Sequence, residues 1–256
     1  ALEVWPGVCP HEGALLEAAH VGGGKVTCPW HGLDFAARRL APGAPAITMC
    51  GAQLQLSADG TLLVGGAMAY TFKLAMGYGV GKSLVEPDAT KTAVRALAKA
   101  ADRGVKFLLP TDNVVATPVD TGKLNKKGKP VFEFVNPKVN SDADIPDADE
   151  GFDIGPATAA RYADIVRGAK TVLWNGPMGM FEDKRFAEGT NVVARAVVDA
   201  TQKNGAKTII GGGDSVKALN KADLGDKVTF MSTGGGASLE FLEGKELPGV
   251  AALTDK

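Results

Sequence analysis

The chain changes its rhythm at Val64, and that change constrains its fold more than any other feature. Upstream, short apolar runs are broken by Gly, Pro and Asp. Two ligand-like pairs stand among them: Cys9-Pro10-His11 and, 16 residues on, Cys28-Pro29-Trp30-His31-Gly32. Downstream, strand-length apolar runs alternate with longer amphipathic ones. Glycine-rich turns punctuate them at Gly65-Gly66, Gly211-Gly212-Gly213 and Gly234-Gly235-Gly236. Such alternation predicts an α/β fold: a parallel, Rossmann-like sheet with helices on both faces. A small all-β segment is expected over 1–60, and the α/β unit over 61–256.

The individual elements follow from periodicity. In the first segment, Gly13–Ala19 has weak helical character. Ala46–Met49, Gln53–Ser57 and Thr61–Val64 read as strands, with Asp59-Gly60 as a hairpin signal. Beyond it, Glu86-Pro87-Asp88 opens a helix with Val94, Leu97, Ala98 and Ala101 on one face, and Gly104 closes it. Strands are expected at Val105–Leu109, Thr171–Trp174, Thr208–Ile210 and Thr229–Met231. Helices are expected at Pro156–Arg167, Phe186–Asn204, Ser215–Lys221 and Ala237–Glu243. In Phe186–Asn204, Val193, Ala196, Val197 and Ala200 should face inward. Residues 117–150 interrupt the alternation; their Pro, Lys and Asp content suggests an excursion with a hairpin through Val131–Val135.

Composition narrows the function classes. Hydrophobic residues make up 45% of the 256 and charged residues 22%, with a net charge of −1. This is a globular profile without the basic field that nucleic acid requires. No apolar run reaches the roughly 18 residues of a membrane span. Ala1–Val8 does not read as a signal peptide. Three cysteines cannot build a disulfide framework, so a reducing cytoplasm is expected. Cys50 reads as a small buried hydrophobe, and His20 as a surface residue.

Cys9, His11, Cys28 and His31 suit either an iron–sulfur cluster or a tetrahedral zinc ion. The C-x-H-x16-C-x-x-H spacing, with Pro-Trp-His-Gly around His31, resembles the Rieske [2Fe-2S] family. That resemblance implies that Cys9 and Cys28 hold one iron and His11 and His31 the other. It also implies an electron-transfer partner. Ala14 and Trp30 stand where disulfide-braced members carry cysteines, which points to the ferredoxin or oxygenase subtype. Such domains usually place several strands before the first ligand loop, so the segment reads as truncated.

A glycine turn at a helix start presents free N–H groups and the positive end of the helix dipole, which suits phosphate. It also serves plain tight packing. Asp214 suits Mg²⁺ or a plain helix N-cap; Asn175-Gly176-Pro177 suits a ligand contact or a plain turn. Gly77–Ser83 looks like a Walker loop but carries Met76 where that motif needs Gly, so Lys82 reads as structural.

Five segments taken together resemble the C-terminal, nucleotide-binding lobe of the phosphoglycerate kinases over about residues 62–253. They are Gly65–Phe72, Gly81–Glu86, Trp174–Gly179, Gly211–Ser215 and Ser232–Glu240. The resemblance implies Mg-ADP or Mg-ATP as ligand. Gly65 and Gly66 would lie against adenine. Asn175, Pro177, Met180 and Glu182 would line the adenosine side, with Gly151 nearby. Asp214 and Ser215 would serve the metal and phosphates, beside Gly212 and Gly213. Gly211 and Gly234 would lend N–H groups to the moving phosphoryl group. It further implies that an opening strand–helix unit with phosphate-binding lysines, and an acceptor lobe, lie outside this sequence. Turnover would then need a complementing lobe. The whole reads as a chimera of two families meeting at Asp59–Val64, a stretch that fits both as a closing hairpin strand or as the strand entering Gly65-Gly66.

Overall fold

The computed structural model describes residues 20–22, 25–27, 34–36, 60–126, 128–242 and 244–247. In the first three stretches, and at Phe241 and Leu242, it describes the backbone alone. Cys9, His11, Cys28, His31 and Cys50 lie outside the described residues, as do the readings for Gly13–Ala19, Ala46–Met49 and Gln53–Ser57. Three short strands, β1 (His20–Gly22), β2 (Lys25–Thr27) and β3 (Asp34–Ala36), form an antiparallel sheet in that order.

Strand β4 (Thr61–Leu63) leads into helix α1 (Gly66–Ala75). A 3₁₀ turn at Pro87–Ala89 precedes α2 (Thr90–Asp102), which is followed by β5 (Lys106–Leu108). β4 pairs with β5 in parallel, and the ladder extends on both sides: Lys106 N–H donates to Gly60 O at 3.1 Å and Val64 N–H to Leu108 O at 3.0 Å. Gly60–Val64 is therefore the strand entering the Gly65-Gly66 turn, and Gly60 already belongs to a parallel ladder; Asp59 lies outside the described residues.

The excursion is an antiparallel sheet of β6 (Asn113–Leu124), β7 (Pro130–Asn140) and β8 (Glu150–Ile154), ordered β7-β6-β8. It is anchored by Lys73 of α1, which is fully buried. Its ammonium donates to Asn113 Oδ1 at 3.1 Å and Ala143 O at 2.8 Å, and burial lowers its pKa to about 8. A desolvated cation persists only where such acceptors meet it.

The remaining chain is regular: α3 (Pro156–Gly168), β9 (Thr171–Asn175), α4 (Glu188–Asn204), β10 (Lys207–Gly211), α5 (Gly213–Lys221), β11 (Phe230–Ser232) and α6 (Gly235–Leu242). β9, β10 and β11 form a parallel sheet with β10 central. The parallel strands thus come as two ladders, β4–β5 and β9–β10–β11, that share one core. Leu63 and Leu108 pack against the same cluster as Trp174, Ile210, Tyr162 and Val197. The Tyr162 hydroxyl lies 2.9 Å from both Val64 O and Leu108 O, closing the end of the first ladder. Val193, Ala196, Val197 and Ala200 are all buried, as their 3.6-residue spacing predicts. Their small side chains let α4 lie closely on α3.

The face assigned to α2 is corrected. Val94 is 51% exposed, and Ala98 and Ala101 are exposed too. The buried residues are Ala93 and Ala100. Lys91, Arg95, Lys99 and Asp102 line the exposed side of the helix, and the true apolar face opposite them lies one residue earlier than assigned, a rotation of about 100°.

Candidate functional site

Brought to one edge are the C-terminal ends of β4, β9, β10 and β11, each followed by a loop of glycine and small polar residues. Chain order runs from β4 out to β5 in one ladder, and from β9 through β10 to β11 in the other. In open parallel sheets ligands bind beyond the carboxyl ends of the strands.

The first contact across the edge is backbone on backbone. Gly66 N–H donates to Met178 O at 2.8 Å. Gly66 has φ +62°, and a Cβ there would stand 3.0 Å from Pro177 O; one on Gly65 would stand 2.6 Å from the Met178 sulfur. Gly65 and Gly66 thus join β4 to the loop after β9.

That loop, Asn175–Glu182, is tied down along its length. Trp174 Nε1–H donates to Gly176 O at 2.6 Å, and Gly176 N–H to Ser215 Oγ at 2.7 Å. Thr190 Oγ1, fully buried, accepts from Met178 N–H at 3.0 Å and Gly179 N–H at 3.2 Å. Met180 N–H donates to Phe152 O at 2.9 Å, and its side chain packs on Phe152 and Phe186. Lys221 Nζ donates to Phe181 O at 3.1 Å and Glu182 O at 3.3 Å. Beneath lies Asp153, 1% exposed, accepting from Gly189 N–H at 2.7 Å and Ile154 N–H at 2.9 Å. Burial pushes its carboxyl up to about 7 against the pull of those two bonds. The Glu182 carboxylate is exposed at the loop's end.

The two glycine triplets meet face to face. A Cβ on Gly235 would stand 2.8 Å from the Gly212 Cα, and Gly212, at φ +90°, would put its own 2.8 Å from Asn175 Oδ1. Asn175 Nδ2 reaches over to Gly235 O at 3.2 Å. Only glycine permits this approach. On the outer side the turns are open: a Cβ on Gly213 or Gly236 meets nothing within 4 Å.

Among the described residues, the N–H groups of Gly213, Asp214 and Ser215 have no protein acceptor, and those of Gly236 and Ala237 have none either. Two adjacent helix N-termini therefore offer free donors beside Asp214. That side chain is 63% exposed, with one oxygen 3.1 Å from Lys217 Nζ. An exposed carboxylate among free N–H groups fits a hydrated Mg²⁺ on a phosphate chain. Asp214 would hold the ion, and the ion would supply neutralising charge.

Several residues named from sequence take particular places. Gly211 is buried in the central strand, paired with Asn175 and Ser232. Gly234 N–H is already given to Ser232 Oγ at 3.2 Å. The free donors stand further along each turn. Ser215 is fully buried and braces Gly176. Gly151 is buried beneath Tyr70, its N–H given to Ser83 Oγ at 3.0 Å. Thr190, Asp153 and Lys221 were not foreseen as part of the site. Their motifs are ordinary helix and strand text, and only the contacts show what they hold. Among the described residues no group of three or more His, Cys, Asp and Glu is arranged to hold a metal ion. No helix among them is long and apolar enough to cross a membrane.

The family model for phosphoglycerate kinase matches residues 52–245, and the model for the Rieske [2Fe-2S] domain matches residues 2–50. The chain is 55% identical over 196 residues to a phosphoglycerate kinase of Clostridium novyi, an alignment covering 77% of this chain and 45% of that protein. With the enzyme of Clostridium beijerinckii it shares 52% over 195 residues, covering 76% and 46%. Among solved structures, phosphoglycerate kinase from Coxiella burnetii superimposes with a TM-score of 0.60 at 41% identity, over 75% of this chain and 45% of that one. The Pyrococcus horikoshii enzyme does so at 0.55 and 32%, over 74% and 44%. The chain spans a little under half the length of the relatives it matches.

Proposed function

The chain belongs to the phosphoglycerate kinase family over residues 52–245, and from that premise we propose that it binds Mg-ADP or Mg-ATP at the ends of β4, β9, β10 and β11. The observation that carries this reading is the pair of open helix N-termini beside Asp214. Free N–H groups of α5 and α6 receive phosphate oxygens, and Asp214 holds the magnesium ion. Asn175, Pro177 and Met180 shape the adenosine side, with Gly65 and Gly66 as its floor and Glu182 accepting from ribose hydroxyls. Gly212 lets the two turns approach; Ser215 keeps Gly176 in place.

The reaction proposed for the complete assembly is phosphoryl transfer between 1,3-bisphosphoglycerate and ADP, a cytoplasmic step of glycolysis. Such transfer depends on charge placed around the moving group. The opening strand–helix unit, whose lysines the resemblance implies, and a complementing acceptor lobe would supply the remaining charge. For residues 61–256 the proposal is a nucleotide-binding lobe. Isothermal titration with Mg-ADP tests it. One saturable site per chain, weakened about tenfold or more by Asp214→Ala when magnesium is present, is expected. A flat titration of folded protein would remove the reading.

A second reading rests on the family match at residues 2–50: an electron-transfer segment whose cluster is held by Cys9, His11, Cys28 and His31. Anaerobically purified protein should then carry about two irons and two acid-labile sulfides per chain. Zinc in their place would remove this reading.

A further inference from the structure

Helix α5 touches the candidate site at both ends. Its N-terminus carries Asp214 and the open N–H groups. Its last residue, Lys221, reaches back to the loop after β9, donating to Phe181 O and Glu182 O. The ammonium also stands 5.9 Å from the centre of the Phe181 ring, within cation–π range. Nine helical residues span about 13 Å, so one rigid element fixes the distance between the phosphate end and the Glu182 end.

At that point the Phe181 ring is buried against Ala187 and Ala218, and the Phe181 N–H returns to Gly179 O at 2.9 Å, so the carbonyls are what Lys221 adds. Thr190 holds Met178 and Gly179, and Phe152 holds Met180. Beyond them the Asp183 N–H returns only to Met180 O at 3.2 Å. The carbonyls of Phe181 and Glu182 are held by Lys221. Arg185 binds the Asp183 carboxylate through Nε and Nη2, which holds that carboxyl below the usual range, and it anchors to Phe134 O at 2.7 Å. Lys221 thus holds the Glu182 carbonyl and Arg185 the carboxylate of the next residue, while Glu182 itself stays exposed.

We propose that Lys221 is a positioning residue for the ribose end of the nucleotide site: its ammonium clamps the Phe181 and Glu182 carbonyls, aims the Glu182 carboxylate, and so sets preference for a nucleotide with ribose hydroxyls. The proposal rests on the nucleotide reading above. Lys221 does not touch the nucleotide; it acts through Glu182.

The test compares the full chain with Lys221→Met and Lys221→Arg. Hydrogen exchange without ligand reads the clamp. Amides of 181–183 should exchange about tenfold faster in the methionine variant, the effect of losing a charge-assisted bond. The arginine variant should restore protection. Titration with Mg-ADP, Mg-2′,3′-dideoxy-ADP and Mg-tripolyphosphate reads the selectivity. Lys221→Met should weaken ADP about tenfold, close to the dideoxy value, and leave tripolyphosphate unchanged. Unchanged exchange at 181–183 overturns the clamp. Faster exchange with equal losses for ADP and its dideoxy analogue overturns the selectivity, because a merely structural role would weaken both alike. Wild-type protein that binds no Mg-ADP overturns the nucleotide reading and the selectivity that rests on it; the exchange result then decides the clamp alone.

Discussion

The loop Asn175–Glu182 and the glycine turns beside it serve one edge of the sheet but are built in opposite ways. In the loop, side chains from β9, α4 and α5 take up six backbone groups: Trp174, Thr190, Ser215 and Lys221 supply them. In the turns, backbone packs on backbone at Gly212 and Gly235, and the outward N–H groups are left without acceptors. A surface that must recognise a rigid base by shape gains from being held still. A surface that must receive movable negative charge gains from unspent donors that need no reorganisation. The difference also sets where stability and affinity part company. Damage to the loop should appear in folding; damage to the turns should appear in binding.

Thr190→Val gives the strongest contrast. It keeps the volume and removes the acceptor for two buried N–H groups, those of Met178 and Gly179. Each orphaned donor costs about 1–3 kcal/mol, so urea unfolding should show a loss of about 3 kcal/mol. A loss under about 1 kcal/mol would mean that the loop is not held in the way described.

Asp153 tests the same loop from beneath through pH. In an unfolded chain its carboxyl ionises near 4; in the folded protein it does so at about 7. Between those values the native state keeps a proton that the unfolded state has released. Stability therefore falls as pH rises through this window, and levels off above it. The shift corresponds to at most about 4 kcal/mol. Asp153→Asn should lower stability most at low pH, because its amide cannot accept from both Gly189 and Ile154, and the gap to wild type should narrow as pH rises. It should also remove this part of the slope between pH 5 and 7.5. Parallel curves for the two proteins would show that Asp153 is ionised when folded.

How much of this was legible in the sequence follows the same division. Regular elements with a strong period were readable to within a residue or two: α4 with Val193, Ala196, Val197 and Ala200, and β9, β10 and β11. The α2 face was misread because its apolar residues were weighed without the charged side that Lys91, Arg95, Lys99 and Asp102 mark opposite the buried Ala93 and Ala100. The glycine turns announced themselves because no other residue makes such runs before helices. The braces did not. Thr190 and Lys221 act on groups 11 to 12 and 39 to 40 residues away, and no local pattern encodes a partner at that separation. The separation of β4–β5 from β9–β10–β11 was likewise not readable from periodicity, which reports strands but not their neighbours.

On the turn side, Asp214→Ala should leave unfolding within about 0.5 kcal/mol of wild type, since the side chain is exposed and its pair with Lys217 is a surface one. Mg-ADP affinity should fall about tenfold or more, the price of losing a charge-assisted ligand. Equal losses in stability and affinity would erase the contrast with the loop and make Asp214 a first-turn residue that supports the α5 N-terminus electrostatically.

The smallest change is the sharpest. Gly213 opens α5 with its Cβ direction in open space and without a positive φ. Packing alone gives no reason for glycine here. Alanine at this position restricts the unfolded chain and suits a helix, so the nucleotide-free protein should gain about 0.5 kcal/mol. If the empty space is where phosphate oxygens approach the free N–H groups, the added methyl stands in their way, and Mg-ADP affinity should drop while stability rises. Opposite signs in one variant cannot come from damage to the fold, which would lower both. Gly212→Ala supplies the control: at φ +90° and 2.8 Å from Asn175 Oδ1 it should lose stability and affinity together. A Gly213→Ala protein that is more stable and binds Mg-ADP as before would place the phosphates elsewhere and leave the turn a matter of chain packing.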